Sequence, residues 1–193
     1  MAEYYLISQL PSLDGLSDNV PVPITEERFY DICQRILGEK AQNELSRLSL
    51  VPPRTYESSG SDLIEAWNRG EHNLRLALGK VRADKLNKQF DTENRIFTAD
   101  LMQVVRAAVE MDSPMEAEKL LNRYRMDYLE SLRPMDVFSE EYVFYYCLKL
   151  KLILRMRRFD AENGKSAYRN IYNSIMNGER LEVTQCPQIK AKL

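Results

Sequence analysis

Apolar residues recur at steps of three and four through most of this chain, which is helical spacing. The densest run is Glu140 to Ala161, EEYVFYYCLKLKLILRMRRFDA. Val143, Tyr146, Cys147, Leu150, Ile153 and Leu154 make one face of it, and Phe144, Leu148 and Leu152 cover much of the rest. A helix apolar on most sides belongs in the middle of a bundle or against a partner. With Lys149, Lys151 and Arg155 inside it, the segment is too short and too charged to span a membrane.

Upstream, Tyr4 to Leu10 is a short apolar run whose length leaves both strand and helix open. Pro11 to Pro23 reads as a loop. Thr25 is an N-cap, with Glu26 and Glu27 in the first turn where the helix dipole favours acids. Phe29, Ile32, Cys33, Ile36 and Leu37 form that helix's inward stripe, and Gly38 ends it. A short helix over Glu39 to Leu48 is stopped by Val51-Pro52-Pro53. The Ser58–Ser61 loop marks a subdomain boundary. A long helix then runs from Asp62 to about Lys88, with a seam at Leu63, Trp67, Gly70, Leu74, Ala77 and Val81. Gly70 costs about 1 kcal/mol inside a helix, and a close helix crossing there is the natural compensation.

Thr98 caps the next helix, with Leu101, Val104, Val105 and Ala108 facing in. Ser113-Pro114-Met115-Glu116 has a capping serine, proline at the first helical position and glutamate at the third, the pattern of a capping box. Its helix carries Ala117, Leu120, Leu121, Tyr124, Tyr128 and Leu132 and ends before Pro134. Ser139 caps the central apolar helix, and Asn163-Gly164 is its left-handed stop. Lys165 to Met176 makes a last helix, closed by Asn177-Gly178. The pattern predicts an all-α protein, a helical bundle of about six to seven helices, with Tyr4–Leu10 open to a short N-terminal strand. Residues 1–57 form an N-terminal helical subdomain, 58–178 the main bundle and 179–193 a tail. The helical pair Thr98–Glu110 and Pro114–Leu132 has the look of one repeat unit, but a single hairpin is ordinary in a bundle.

Composition narrows the function classes. With 27 Lys plus Arg against 29 Asp plus Glu, the net charge is −2, which argues against a chain devoted to nucleic acid. Cys33, Cys147 and Cys186 are odd in number and widely spaced, with no CxxC, so free thiols in a reducing cytosol are expected. The opening MAEYYLISQLP has no basic n-region, which predicts a cytoplasmic protein with no signal peptide.

Few residues of the chain are arranged for chemistry. His72 is the sole histidine, and no Cys, His or carboxylate sits at 68, 69, 75 or 76, so no helical metal pair forms there. Gly79-Lys80 fails as a phosphate loop, since position 74 is Leu and position 81 is Val. Glu26/Glu27 and Glu140/Glu141 start helices and complement the dipole. An enzyme would have to draw on scattered groups such as Glu71, His72 and Asp84. The expectation is therefore no catalytic residue, no cofactor and no metal. Two basic clusters stand out: Arg75, Lys80, Arg82, Lys85 and Lys88, and the five cations Lys149, Lys151, Arg155, Arg157 and Arg158 on the apolar helix. Such a stripe reaches solvent, pairs with acids of neighbouring helices, or steers an acidic partner. Interleaved Tyr142, Phe144, Tyr145 and Tyr146 could also stack bases, which the net charge opposes.

Four segments carry a resemblance: YYLISQLPSL, ITEERFYDICQRIL, SPMEAEKLLNRYRMDYLESL and YVFYYCLKLKLILRMRRFDAENGKSAYRNI. They resemble an uncharacterised bacterial family encoded beside subunits of V-type (vacuolar/archaeal-type) ATPases. That family is similar in turn to the V-type ATPase C subunit (d in eukaryotes), an all-helical socket between the rotor stalk and the membrane ring. Asn73-Leu74-Arg75 with Gly79-Lys80, and the basic-ended Tyr146–Arg158 helix, carry the second likeness. This chain is shorter than that subunit and shows no threefold repeat. The resemblance implies a non-enzymatic coupling or assembly subunit, peripheral to the inner membrane through the complex. Its contacts would be Arg75, Lys80, Tyr142, Tyr145, Lys149, Lys151 and Arg155. The alternative is a stand-alone helical adaptor that forms a homodimer through Tyr142–Met156.

Overall fold

The computed structural model describes residues 2–16, 20–52, 59–158 and 168–173. It is all-α among these residues. The helices are α1 (Ala2–Gln9), α2 (Glu26–Ile36), α3 (Glu39–Arg47), α4 (Asp62–Lys85), α5 (Ala99–Glu110), α6 (Pro114–Ser131) and α7 (Glu140–Arg157). The Tyr4–Leu10 run, left open between strand and helix, is helical as far as Gln9. The chain divides into two compact units, Met1–Arg158 and Phe159–Leu193. In the second, residues 168–173 are helical, and the rings of Tyr168 and Tyr172 lie 6.2 Å apart. The stops at Asn163-Gly164 and Asn177-Gly178, the 179–193 tail and Cys186 fall outside the described residues.

The helix starts follow from side-chain oxygens that accept otherwise orphaned backbone N–H groups. Thr25 accepts from Arg28 N, Ser61 from Ile64 N, Thr98 from Leu101 N, Ser113 from Glu116 N and Ser139 from Tyr142 N. The Glu116 carboxylate turns to Lys119, 3.2 Å away. At the N-terminus of α4 the sequence underread the cap. Glu141 of α7 accepts from the Ser61 hydroxyl at 2.8 Å and from Leu63 N at 3.2 Å, so it serves the start of α4 as well as its own helix. Asn87, with φ +52°, ends α4, and Lys88 N donates back to Ala83 O at 2.9 Å. Gly38 keeps φ −69° and begins α3, while Leu37 closes α2.

Two apolar clusters organise the first unit. The larger joins Leu6, Phe29, Ile32, Leu45, Leu63, Trp67, Leu129 and the inner length of α7 from Val143 to Leu150. It crosses the 57/58 position, because the buried faces of α2 and α3 pack with α7 in one cluster. The smaller joins Leu74, Ala77 and Leu78 of α4 with Leu101, Val105 and Ala108 of α5 and Leu121 of α6. α7 packs against α1, α2, α3, α4 and α6. Gly70 has the close crossing its position required: a Cβ there would lie 2.2 Å from Cε1 of Tyr128 on α6. Among the described residues no helix is long and apolar enough to cross a membrane.

Candidate functional site

The five-cation stripe on α7 does not face solvent as a block. Lys149 is buried, and its ammonium has three acceptors, matching its three N–H donors. These are the Asp14 carboxylate, Glu130 Oε1 at 2.5 Å and the Tyr145 hydroxyl at 3.3 Å. Together these partners hold the ammonium in its charged form far above the usual lysine range, against the burial that opposes it. The Tyr145 hydroxyl donates to Glu130 Oε2 at 2.7 Å, and burial raises its pKa to about 12. Arg133, beyond the end of α6, sits 5.9 Å from the ring centres of both Tyr142 and Tyr145 and 3.7 Å from Asp14.

Asp14, Arg133, Tyr142, Tyr145 and Lys149 line a cavity of about 290 Å³, to which Ile7, Leu10 and Leu13 add apolar surface. The loop carrying Asp14 is fixed by the Tyr146 hydroxyl, which donates to Pro11 O at 2.8 Å, and by Leu13, which is buried. Gly15, at φ +67°, makes the turn that presents Asp14. Lys149 pulls the Asp14 carboxyl below its ordinary range, with a smaller contribution from Arg133.

The other sequence candidates disperse. Lys151 donates to Leu48 O at 2.8 Å, lies 3.4 Å from Glu26 and sits over the Tyr30 ring, so it ties α7 to α2 and the end of α3. Arg155 pairs with Glu118 of α6 at 2.5 Å. Arg75 is exposed on α4, 3.7 Å from Glu71, and Lys80 is half-buried on the same helix. Of the seven contact residues read from the sequence, Tyr142, Tyr145 and Lys149 come together; Lys151, Arg155, Arg75 and Lys80 do not join them. Tyr145 and Lys149 belong to the interior, as does most of the Tyr142–Met156 stretch expected at a dimer face.

A second charged cluster lies between the two apolar cores. Arg125 of α6 donates to Glu71 Oε1 at 2.6 Å, to Asn122 Oδ1 at 2.9 Å and to Glu118 Oε1 at 3.3 Å. Glu71 and Asn122 are 2% and 1% exposed, so this is a buried polar layer and not a rim. Its signal was present in the sequence: Glu118, Asn122 and Arg125 keep the inward helical step on either side of Leu121. The Asp14 partner of Lys149 carried no such signal, since it sits in a loop 135 residues away.

His72 meets Glu93, a left-handed residue at φ +54°, at 3.1 Å, and this contact pulls the Glu93 carboxyl below its usual range. Arg95 holds Asn73 at 2.9 Å, and the Phe90 ring covers Gly79. The Asn73 and Gly79 positions of the sequence resemblance are thus covered by the 86–98 loop. Burial pushes the Cys33 and Cys147 thiols up to about 12. Among the described residues no His, Cys, Asp and Glu side chains form a group able to hold a metal ion.

Residues 88–179 match the model of a family described as a protein of unknown function (DUF2764). The matched stretch takes in α5, α6 and α7, and with them Arg133 and the tyrosine-lysine wall of the cavity, while Asp14 lies outside it. No curated protein and no solved structure matches the chain.

Proposed function

We propose that this chain is a non-enzymatic helical subunit of a bacterial V-type ATPase, in a coupling or assembly role. The observation that carries the reading is where the resembling segments fall. SPMEAEKLLNRYRMDYLESL is α6 with its two caps, and the YVFYYCLKLKLILRMR part of the last segment lies in α7, the helix on which five others close. Lys149, Lys151 and Arg155 act there as struts between helices. Contact with another subunit therefore falls to what the struts leave outside. On α4 that is Arg75 and Lys80. Elsewhere it is Tyr4 and Phe138, whose rings are 4.7 Å apart, and the fully exposed Met135. Exposed apolar side chains rimmed by charge suit a protein partner.

Affinity purification of the chain from its native cell, under conditions that keep the ATPase assembled, tests this. ATPase subunits should be recovered, and fewer should be recovered from a Tyr4→Ser/Phe138→Ser variant. Recovery of none, with the complex intact in the same lysate, overturns the proposal.

A further inference from the structure

The cavity under the Asp14 loop has the composition of a carboxylate site with its own occupant in place. Its floor is Lys149, with a side chain 8% exposed. Its walls are the rings of Tyr142, Tyr145 and Tyr146, its rim is the Arg133 guanidinium, and Ile7 and Leu10 supply an apolar side. The two acids that neutralise the cations are held unequally. Glu130 is fixed through both carboxylate oxygens, by Lys149 at 2.5 Å and by the Tyr145 hydroxyl at 2.7 Å. Asp14 reaches the same ammonium from a surface loop, and 55% of its side chain remains exposed. A carboxylate open to solvent on a loop can leave, whereas Glu130 cannot without stranding Tyr145.

We infer that this cavity binds a small organic carboxylate with an apolar body, and that Asp14 is a tethered competitor displaced when it binds. The exchange is one for one. The incoming carboxylate takes the Lys149 donor and the Arg133 position that Asp14 vacates, and its apolar portion lies on the tyrosine rings. Charge stays balanced, so no cation is left buried alone. A volume of about 290 Å³ suits a ligand of roughly ten heavy atoms, at the small end of ligand pockets. Because Asp14 is part of the chain, it competes at an effective concentration in the millimolar range. Binding to the native protein is accordingly weak, because the Asp14 side chain must first leave Lys149.

The test is calorimetry on the full chain with 3-phenylpropanoate, run beside neutral 3-phenylpropanamide and inorganic phosphate. Asp14→Asn keeps the shape of the loop residue and removes its charge. It should bind 3-phenylpropanoate about 10-fold or more tighter than the native chain. Arg133→Gln, on a side chain 41% exposed and therefore safe for the fold, should lose about 10-fold in the Asp14→Asn background. The amide should not compete. The inference is overturned if Asp14→Asn binds no tighter than the native chain, if Arg133→Gln has no effect, or if the amide binds equally well. Phosphate binding as tightly as the organic acid would overturn the apolar part of the assignment.

Discussion

Replacing Gly70 by alanine sets two opposed effects against each other, and the structure decides the sign. Inside a helix, alanine is favoured over glycine by about 1 kcal/mol. At this crossing the added Cβ would sit 2.2 Å from Tyr128 Cε1, 2.5 Å from Cζ and 2.8 Å from the hydroxyl oxygen. The ring cannot simply swing aside. Its hydroxyl donates to Ala66 O at 2.8 Å, and its face packs near Trp67 with ring centres 6.4 Å apart. Overpacking of this kind costs about 1–3 kcal/mol, and losing the hydrogen bond adds about 1 kcal/mol. Against the helix gain, the net is a loss of about 1–3 kcal/mol. Gly79 is the internal control. Its Cβ would lie 2.3 Å from Phe90 Cζ, but Phe90 is 43% exposed and its ring can turn outward. Gly79→Ala should therefore be neutral or more stable by up to about 1 kcal/mol. Urea melts followed by circular dichroism measure both. A Gly70→Ala protein as stable as Gly79→Ala would refute the claim that Tyr128 is pinned.

Three further outcomes follow from buried groups. Arg125→Met leaves Glu71, 2% exposed, facing a low dielectric, and should destabilise by about 3–5 kcal/mol, with much of the loss recovered in the Glu71→Met/Arg125→Met double variant. The Asp14–Lys149 pair should shape the pH dependence at both ends. Asp14 has a lowered pKa, so its contribution is present above the ordinary aspartate value and fades as pH falls through the lowered one. Lys149 has a raised pKa, so its contribution is complete below the ordinary lysine value and fades as pH rises past it; Asp14→Asn should flatten the acid limb of melting temperature against pH. In a Cys186→Ser background, Cys33 and Cys147, buried and with thiol pKa values of about 12, should resist an aromatic disulfide reagent until urea unfolds the chain, and rapid labelling of the native protein would refute their burial.

Helices and their starts were legible in the sequence because both are local. Thr25, Thr98, Ser113 and Ser139 cap the helices they precede. The near-uniform apolar surface of α7 placed it centrally, and the glycine in the α4 seam announced a close neighbour. What was not legible depends on where distant elements meet. The spacing shows that Lys151 and Arg155 share one face of the helix and that Lys149 lies on another, but not that Asp14, Glu26 and Glu118 come to meet them. Helical period could have marked Glu118, Asn122 and Arg125 as inward-facing, yet their polarity argued the other way. Glu141 was read as an acid serving its own helix, and its second role at the start of α4 needed the fold. The Tyr4–Leu10 run is too short for its period to separate helix from strand, and contact with α2 and α7 determines the outcome.

The cations of α7 raise a question that packing alone does not answer, since burying a lysine is unfavourable without compensation. A helix apolar nearly all round has no preferred rotation in its slot, because turning it exchanges one greasy face for another. Lys149, Lys151 and Arg155 remove that freedom by reaching three separate anchor points. These are the Asp14 loop with α6, then α2 with the end of α3, and Glu118 of α6. Lys151→Met isolates one strut. It keeps the apolar stem and strands Leu48 O, which lies at the C-cap of α3, at a cost of about 1–3 kcal/mol. If the strut acts locally, amide exchange should quicken in α3 and the adjoining turn of α2, while α5 and the second core around Val105 keep their protection. Uniform quickening across all helices would mean that Lys151 contributes only to global stability and does not set the position of α7.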